Sequence, residues 1–97
     1  MDYNVKKADA TGCNDTKFIV EKGTVRTAVQ AKESKEKIDT EDIESAASDR
    51  LYYQCDNAMI ISNSGFTKQA YNLARVTNIH LVNRRELIGI MYKMKNR

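Results

Sequence analysis

The run KFIVEKGTVRTAVQAK, residues 17–32, constrains the fold more than any other stretch of the chain. Two β-rich segments flank EKGT, and Gly23 supplies the positive φ that a tight hairpin turn requires. Side chains alternate with period two along a strand. Val25, Thr27, Val29 and Ala31 therefore share one face, and Gln30 and Lys32 share the other. A strand that feeds a core thus ends in an amide and an ammonium on one side. Either it runs out into water there, or the two polar groups converge on a ligand.

Beyond residue 32 the pattern changes to alternating helix and strand. DTEDIESAASDRLYYQ (39–54) reads as a helix capped by Asp39 or Thr40, with acids in its first turn and an apolar stripe of Ile43, Ala46, Ala47 and Leu51. NAMIIS (57–62) reads as a short buried strand, and NSGF turns the chain. Thr67 caps KQAYNLARVT (68–77), whose stripe is Ala70, Leu73 and Ala74. IHLV (79–82) is a further strand. NRRELIGIMYKMK (83–95) is a helix opened by Asn83 and Glu86 at capping-box spacing. At the front, YNVKKA (3–8) adds a strand and DATGCND (9–15) a loop. This order implies an antiparallel hairpin followed by right-handed crossovers between parallel strands. The expected fold is α/β: a mixed central sheet of about five strands flanked by helices, in one domain over residues 1–97.

Composition excludes several classes. The chain is 41% hydrophobic and 30% charged, which suits a globular domain and not a disordered one. No apolar run approaches the ~18 residues of a membrane span, and no apolar stretch follows Met1 as in a secretory leader. Cys13 and Cys55 show neither a CxxC spacing nor a partnering histidine, so a reduced, cytoplasmic chain is expected. The formal net charge of +3 is unevenly spread: +2 over residues 1–37, −5 over 38–60 and +6 over 61–97. A basic first and last third suits a polyanion partner, with the acidic middle turned away; a solvated surface is the plainer alternative.

Three stretches resemble the catalytic domain of the Mrr-type restriction endonucleases, a branch of the PD-(D/E)xK nuclease superfamily. EKGTVRTAVQAK (21–32) is similar to the second hairpin strand with its Q-x-K variant of the motif. YYQCDNAMIISNSGFTKQAYNLA (52–74) and NIHLVNRRELI (78–88) resemble the segments that follow. The resemblance implies a restriction-endonuclease-like fold, double-stranded DNA as partner, and Mg²⁺-dependent hydrolysis of phosphodiesters if the site is active. It makes Gln30 the metal-side amide and Lys32 the catalytic lysine. Hard oxygen ligands suit Mg²⁺, and a cation beside the scissile phosphate stabilises the transition state.

The same resemblance exposes a departure. In GCNDTKFIVEKG (12–23) the family's metal-binding Asp falls on Lys17, and Cys13 takes another acid position. Two unit charges 4 Å apart interact by about 4 kcal/mol at an effective dielectric of about 20, so a lysine there opposes a divalent ion. Asp15, two residues earlier and roughly 6.5 Å away along the strand, shares that face and is the alternative metal ligand. The family's front helix also has no counterpart, so a homodimer or a completing partner chain is expected on the uncovered sheet face.

Three readings follow: a DNA-binding domain with a degenerate hydrolytic site, an active Mg²⁺ endonuclease using Asp15, Gln30 and Lys32, or a homodimeric assembly module. The expected DNA contacts are Lys17, the loop residues Ser62, Asn63 and Ser64, Lys68 at a helix start, and Arg84 and Arg85. For the Ser62–Ser64 loop simple turn chemistry is the competing account, and for Lys68 solvation. His80, Tyr52 and Tyr53 read as structural or rim residues.

Overall fold

The structure, a computed structural model, describes residues 3–7, 15–83, 85–86 and 89. Five strands form one sheet in sequential order: β1 (Tyr3–Lys7), β2 (Asp15–Lys22), β3 (Val25–Lys32), β4 (Asn57–Ser62) and β5 (Ile79–Asn83). β1–β2 and β2–β3 are antiparallel, and β3–β4 and β4–β5 are parallel. The parallel steps need crossovers, which α1 (Thr40–Tyr52) and α2 (Lys68–Thr77) supply. Both steps run the same way across the sheet, so two right-handed crossovers place both helices on one face, where they touch each other.

The hairpin closes through two residues, with Lys22 paired to Val25 and Gly23 at φ +61°. A left-handed residue in the first turn position is the type II′ pattern, and it favours glycine there. The expected run from residue 17 extends further back, since β2 begins at Asp15.

Each helix starts where the sequence places its cap. Asp39 and Asp42 form a reciprocal capping box on α1, and Thr67 Oγ1 accepts from Ala70 N on α2. The two starts are also joined. Ile38 and Phe66 form a parallel bridge, and Thr67 Oγ1 donates to Asp39 Oδ1 at 2.9 Å. At the other end α1 closes with two carbonyls satisfied: Cys55 N donates to Arg50 O at 2.8 Å and Gln54 N to Leu51 O at 3.2 Å. Gln54 takes the left-handed position at φ +54°, where glycine is commoner. Arg50 Nη1 then donates to Thr77 O at 2.8 Å, tying the end of α1 to the end of α2.

The core lies between the helices and the parallel strands. Ile43, Ala46, Ala70 and Ala74 pack against Ala58, Ile60 and Ile79. The alanines let the helices sit close to the sheet, as their spacing indicates. Leu51 does not join them. Expected on the α1 stripe, it is 77% exposed, because it lies about 140° around the helix from the buried Ala46 and so faces solvent. On the opposite sheet face Val29 and Val82 are buried, while Val5 and Val25 are exposed.

Of the helix expected over residues 83–95, the described residues Arg85, Glu86 and Gly89 are helical, and Glu86 N donates to Asn83 Oδ1 at 2.7 Å. Arg84, Cys13 and the remainder of that stretch lie outside the described residues. Among the described residues no helix is long and apolar enough to cross a membrane.

Candidate functional site

The β2–β3 ladder sets Lys17 opposite Gln30 and Asp15 opposite Lys32. Lys17 and Gln30, directly opposite in the ladder, point to the same face, the one under α1. Gln30 and Lys32 therefore point together, away from Val29, toward an acidic stripe of the helix. Gln30 is 2% exposed, and its Nε2 donates to Asp49 Oδ2 at 2.6 Å. Lys17 Nζ lies 3.1 Å from the same oxygen. Lys32 Nζ lies 2.9 Å from Asp42 Oδ1.

The Gln30 amide has one sensible orientation. Reversing it would set its oxygen against the Asp49 carboxylate. In the orientation found, Oε1 is buried without a hydrogen-bond partner. A buried amide oxygen left in this way costs about 1–3 kcal/mol, so it marks a place where the fold has given up stability.

The loop after β4 stands beside this cluster, because Ser62 pairs with Lys32 in the β3–β4 register. Ser62 is buried, and its hydroxyl meets Ser64 Oγ at 3.0 Å. Ser64 Oγ donates to Glu36 O at 2.9 Å, and Asn63 Oδ1 accepts from Ser34 N at 3.0 Å. These bonds strap the loop to the segment that leaves β3. The Ser62 hydroxyl is spent inside, whereas Asn63, Lys68 and Arg85 are exposed. The structure thus gathers Lys17, Gln30, Lys32 and Ser62, leaves Lys68 and Arg85 on the surface, and sets the Asp15 backbone opposite Lys32.

Two residues of the cluster are absent from the sequence-based site: Asp42 and Asp49. Their signal was in the helix pattern. They lie seven residues apart, on the stripe that also carries the buried Ala46, so both must face the sheet.

The donor set does not suit a divalent ion. Mg²⁺ takes oxygen ligands in a near-octahedral shell and keeps several waters. Here an ammonium already occupies the Asp49 oxygen. The cavity lined by Lys17, Gln30, Asp49 and Tyr53 has about 10 Å³, the space of one water. Among the described residues no group of three or more His, Cys, Asp or Glu side chains is placed to hold a metal ion.

An antiparallel hairpin feeding a parallel βαβαβ run, with polar groups at the end of the second hairpin strand, defines a restriction-endonuclease-like domain. The family model of the Mrr catalytic domain, described as a restriction endonuclease, matches residues 1–91, and the chain belongs to that family. Members of this family act on DNA and typically use Mg²⁺. A crystal structure titled as a protein of unknown function, AF1548, superposes with a TM-score of 0.72 at 15% identity, covering 97% of this chain. The present chain spans 58% of that protein, and at this identity the likeness concerns the fold. No curated protein matches the sequence.

Proposed function

We propose that this domain binds double-stranded DNA without hydrolysing it, its restriction-endonuclease site being degenerate. One observation carries the reading: the Asp49 oxygen that Gln30 reaches is paired with the Lys17 ammonium at 3.1 Å. Family membership supports DNA as the partner. Asn63, Lys68 and Arg85, exposed around the carboxyl ends of the parallel strands, are the residues that would meet phosphates.

The test is a plasmid-nicking assay in Mg²⁺ or Mn²⁺ beside duplex binding by fluorescence anisotropy. The parent protein should bind, lose affinity as salt rises, and leave the plasmid intact. Cleavage gained on Lys17→Asp would support a degenerate site. Cleavage by the parent, lost in Lys32→Ala and Asp15→Ala, would instead favour an active enzyme using Asp15, Gln30 and Lys32, a reading helped by the register of Asp15 opposite Lys32. Pairing of two copies belongs to the same proposal. The sheet face turned from the helices exposes Val5 and Val25, and sedimentation should report a dimer.

A further inference from the structure

We infer that the Lys17 ammonium is a tethered cation standing in for a divalent ion, with Asp49 of α1 as its counter-charge. The fold is therefore complete without metal. It also follows that a neutral side chain at position 17 opens a cation site on Asp49 and Gln30.

Three features of the centre point this way. The Lys17–Asp49 pair is only partly exposed, at 20% and 18% of the two side chains, so solvent does not fully screen it. Gln30 places its amide hydrogens on Asp49 and leaves Oε1 buried and unpartnered. An oxygen in that state is what a cation would take up and what an ammonium, committed to the carboxylate, leaves unused. The remaining cavity, about 10 Å³, admits a water but not an ion with its shell. Removing the ammonium changes the centre. The carboxylate loses its partner, the amide can turn its oxygen inward, and the place that Nζ holds beside Asp49 is vacated, since a methionine or glutamine side chain is shorter than a lysine.

The inference rests on the reading of a site without a divalent ion and is independent of DNA affinity. It is tested by thermal unfolding and by electron paramagnetic resonance of Mn²⁺, on the parent, on Lys17→Met and Lys17→Gln, and on Lys17→Met combined with Asp49→Asn. The parent should melt at the same temperature in EDTA and in millimolar Mn²⁺, and should leave the Mn²⁺ signal free. Lys17→Met and Lys17→Gln should melt several degrees higher in Mn²⁺ than in EDTA and bind about one ion; the double variant should lose both effects.

A parent that is stabilised by Mn²⁺, or folded single variants that ignore it, would overturn the inference. If neither single variant folds, the parent's response alone decides. A parent that cleaves DNA but melts identically with and without Mn²⁺ overturns the proposed function and leaves this inference standing. A parent that does not cleave but is stabilised by Mn²⁺ does the reverse.

Discussion

Lys32 Nζ lies 2.9 Å from Asp42 Oδ1 on the same helical stripe from which Asp49, two turns on, takes Lys17. Two lysines on neighbouring strands thus meet two aspartates across the α1–sheet interface, with Ala46 buried between them. Charge pairs at two separate levels add to the close packing of Ile43 and Ala46 in setting the position of α1 on the sheet.

The two aspartates should differ when truncated. Asp49→Ala strands both the Lys17 ammonium and the buried Gln30 amide, and a loss of roughly 2–3 kcal/mol is expected, below the value for a fully buried pair because the site is partly wet. Replacing Lys17 as well should recover part of that loss, giving a coupling energy of about 1 kcal/mol in a double-mutant cycle. Urea denaturation of the four proteins measures both. Simple additivity would show that the two charges do not interact.

Asp39 works at two helix starts. Its Oδ1 accepts from Thr40 N at 2.8 Å and from Thr67 Oγ1 at 2.9 Å, so one carboxylate caps α1 and steadies the cap of α2. Asp39→Ala should cost about 1–2 kcal/mol, as lost caps do. For a domain of this size each kcal/mol lowers the melting temperature by about 4–8 °C. Thr67→Ala should show a similar loss. The double variant should fall short of the sum, because the two side chains share a bond.

Much of this architecture was legible in the sequence. Periodicity and caps marked the hairpin, both helices and β4, since Gly23, Asp39 and Thr67 each satisfy a local backbone requirement that can be read without knowing the partner. The family resemblance marked Gln30, Lys32 and the anomaly at Lys17. What stayed hidden was tertiary. Nothing local says that Asp49, in the middle of a polar helix, ends 3.1 Å from a lysine 32 positions earlier in the chain. Leu51 failed because the sheet meets the side of α1 that carries Asp42, Ala46 and Asp49, and Leu51 lies about 140° around the helix from Ala46.

Cys55 offers a pH-dependent readout of the end of α1. Burial pushes its thiol up from the ordinary 9.0, Asp56 and Glu21 push the same way, and Arg26 opposes them. The folded state therefore holds the thiol proton more tightly than the unfolded chain. Stability from this source is complete below the unfolded value and falls as pH rises through the folded one. In a Cys13→Ser background, iodoacetamide should label folded Cys55 slowly at pH 8 and faster only above 9.0, whereas the urea-unfolded chain should react at lower pH. Equal profiles for the two states would contradict the shift.

If DNA lies across the carboxyl ends of the parallel strands, cations should matter by position and not by charge alone. α2 runs back against the strands, so Lys68 in its first turn stands at that rim, and Arg75 in its last turn stands at the opposite end beside Asn57 and Ile79. Both side chains are exposed. Lys68→Ala and Arg85→Ala should each weaken duplex binding across sequences and reduce the slope of log K against log salt by about 1, the signature of one lost phosphate contact. Arg75→Ala removes the same charge from the net total and should leave the slope unchanged. An equal fall for Lys68→Ala and Arg75→Ala would mean that the duplex responds only to overall charge, and the rim would have no claim as the binding face.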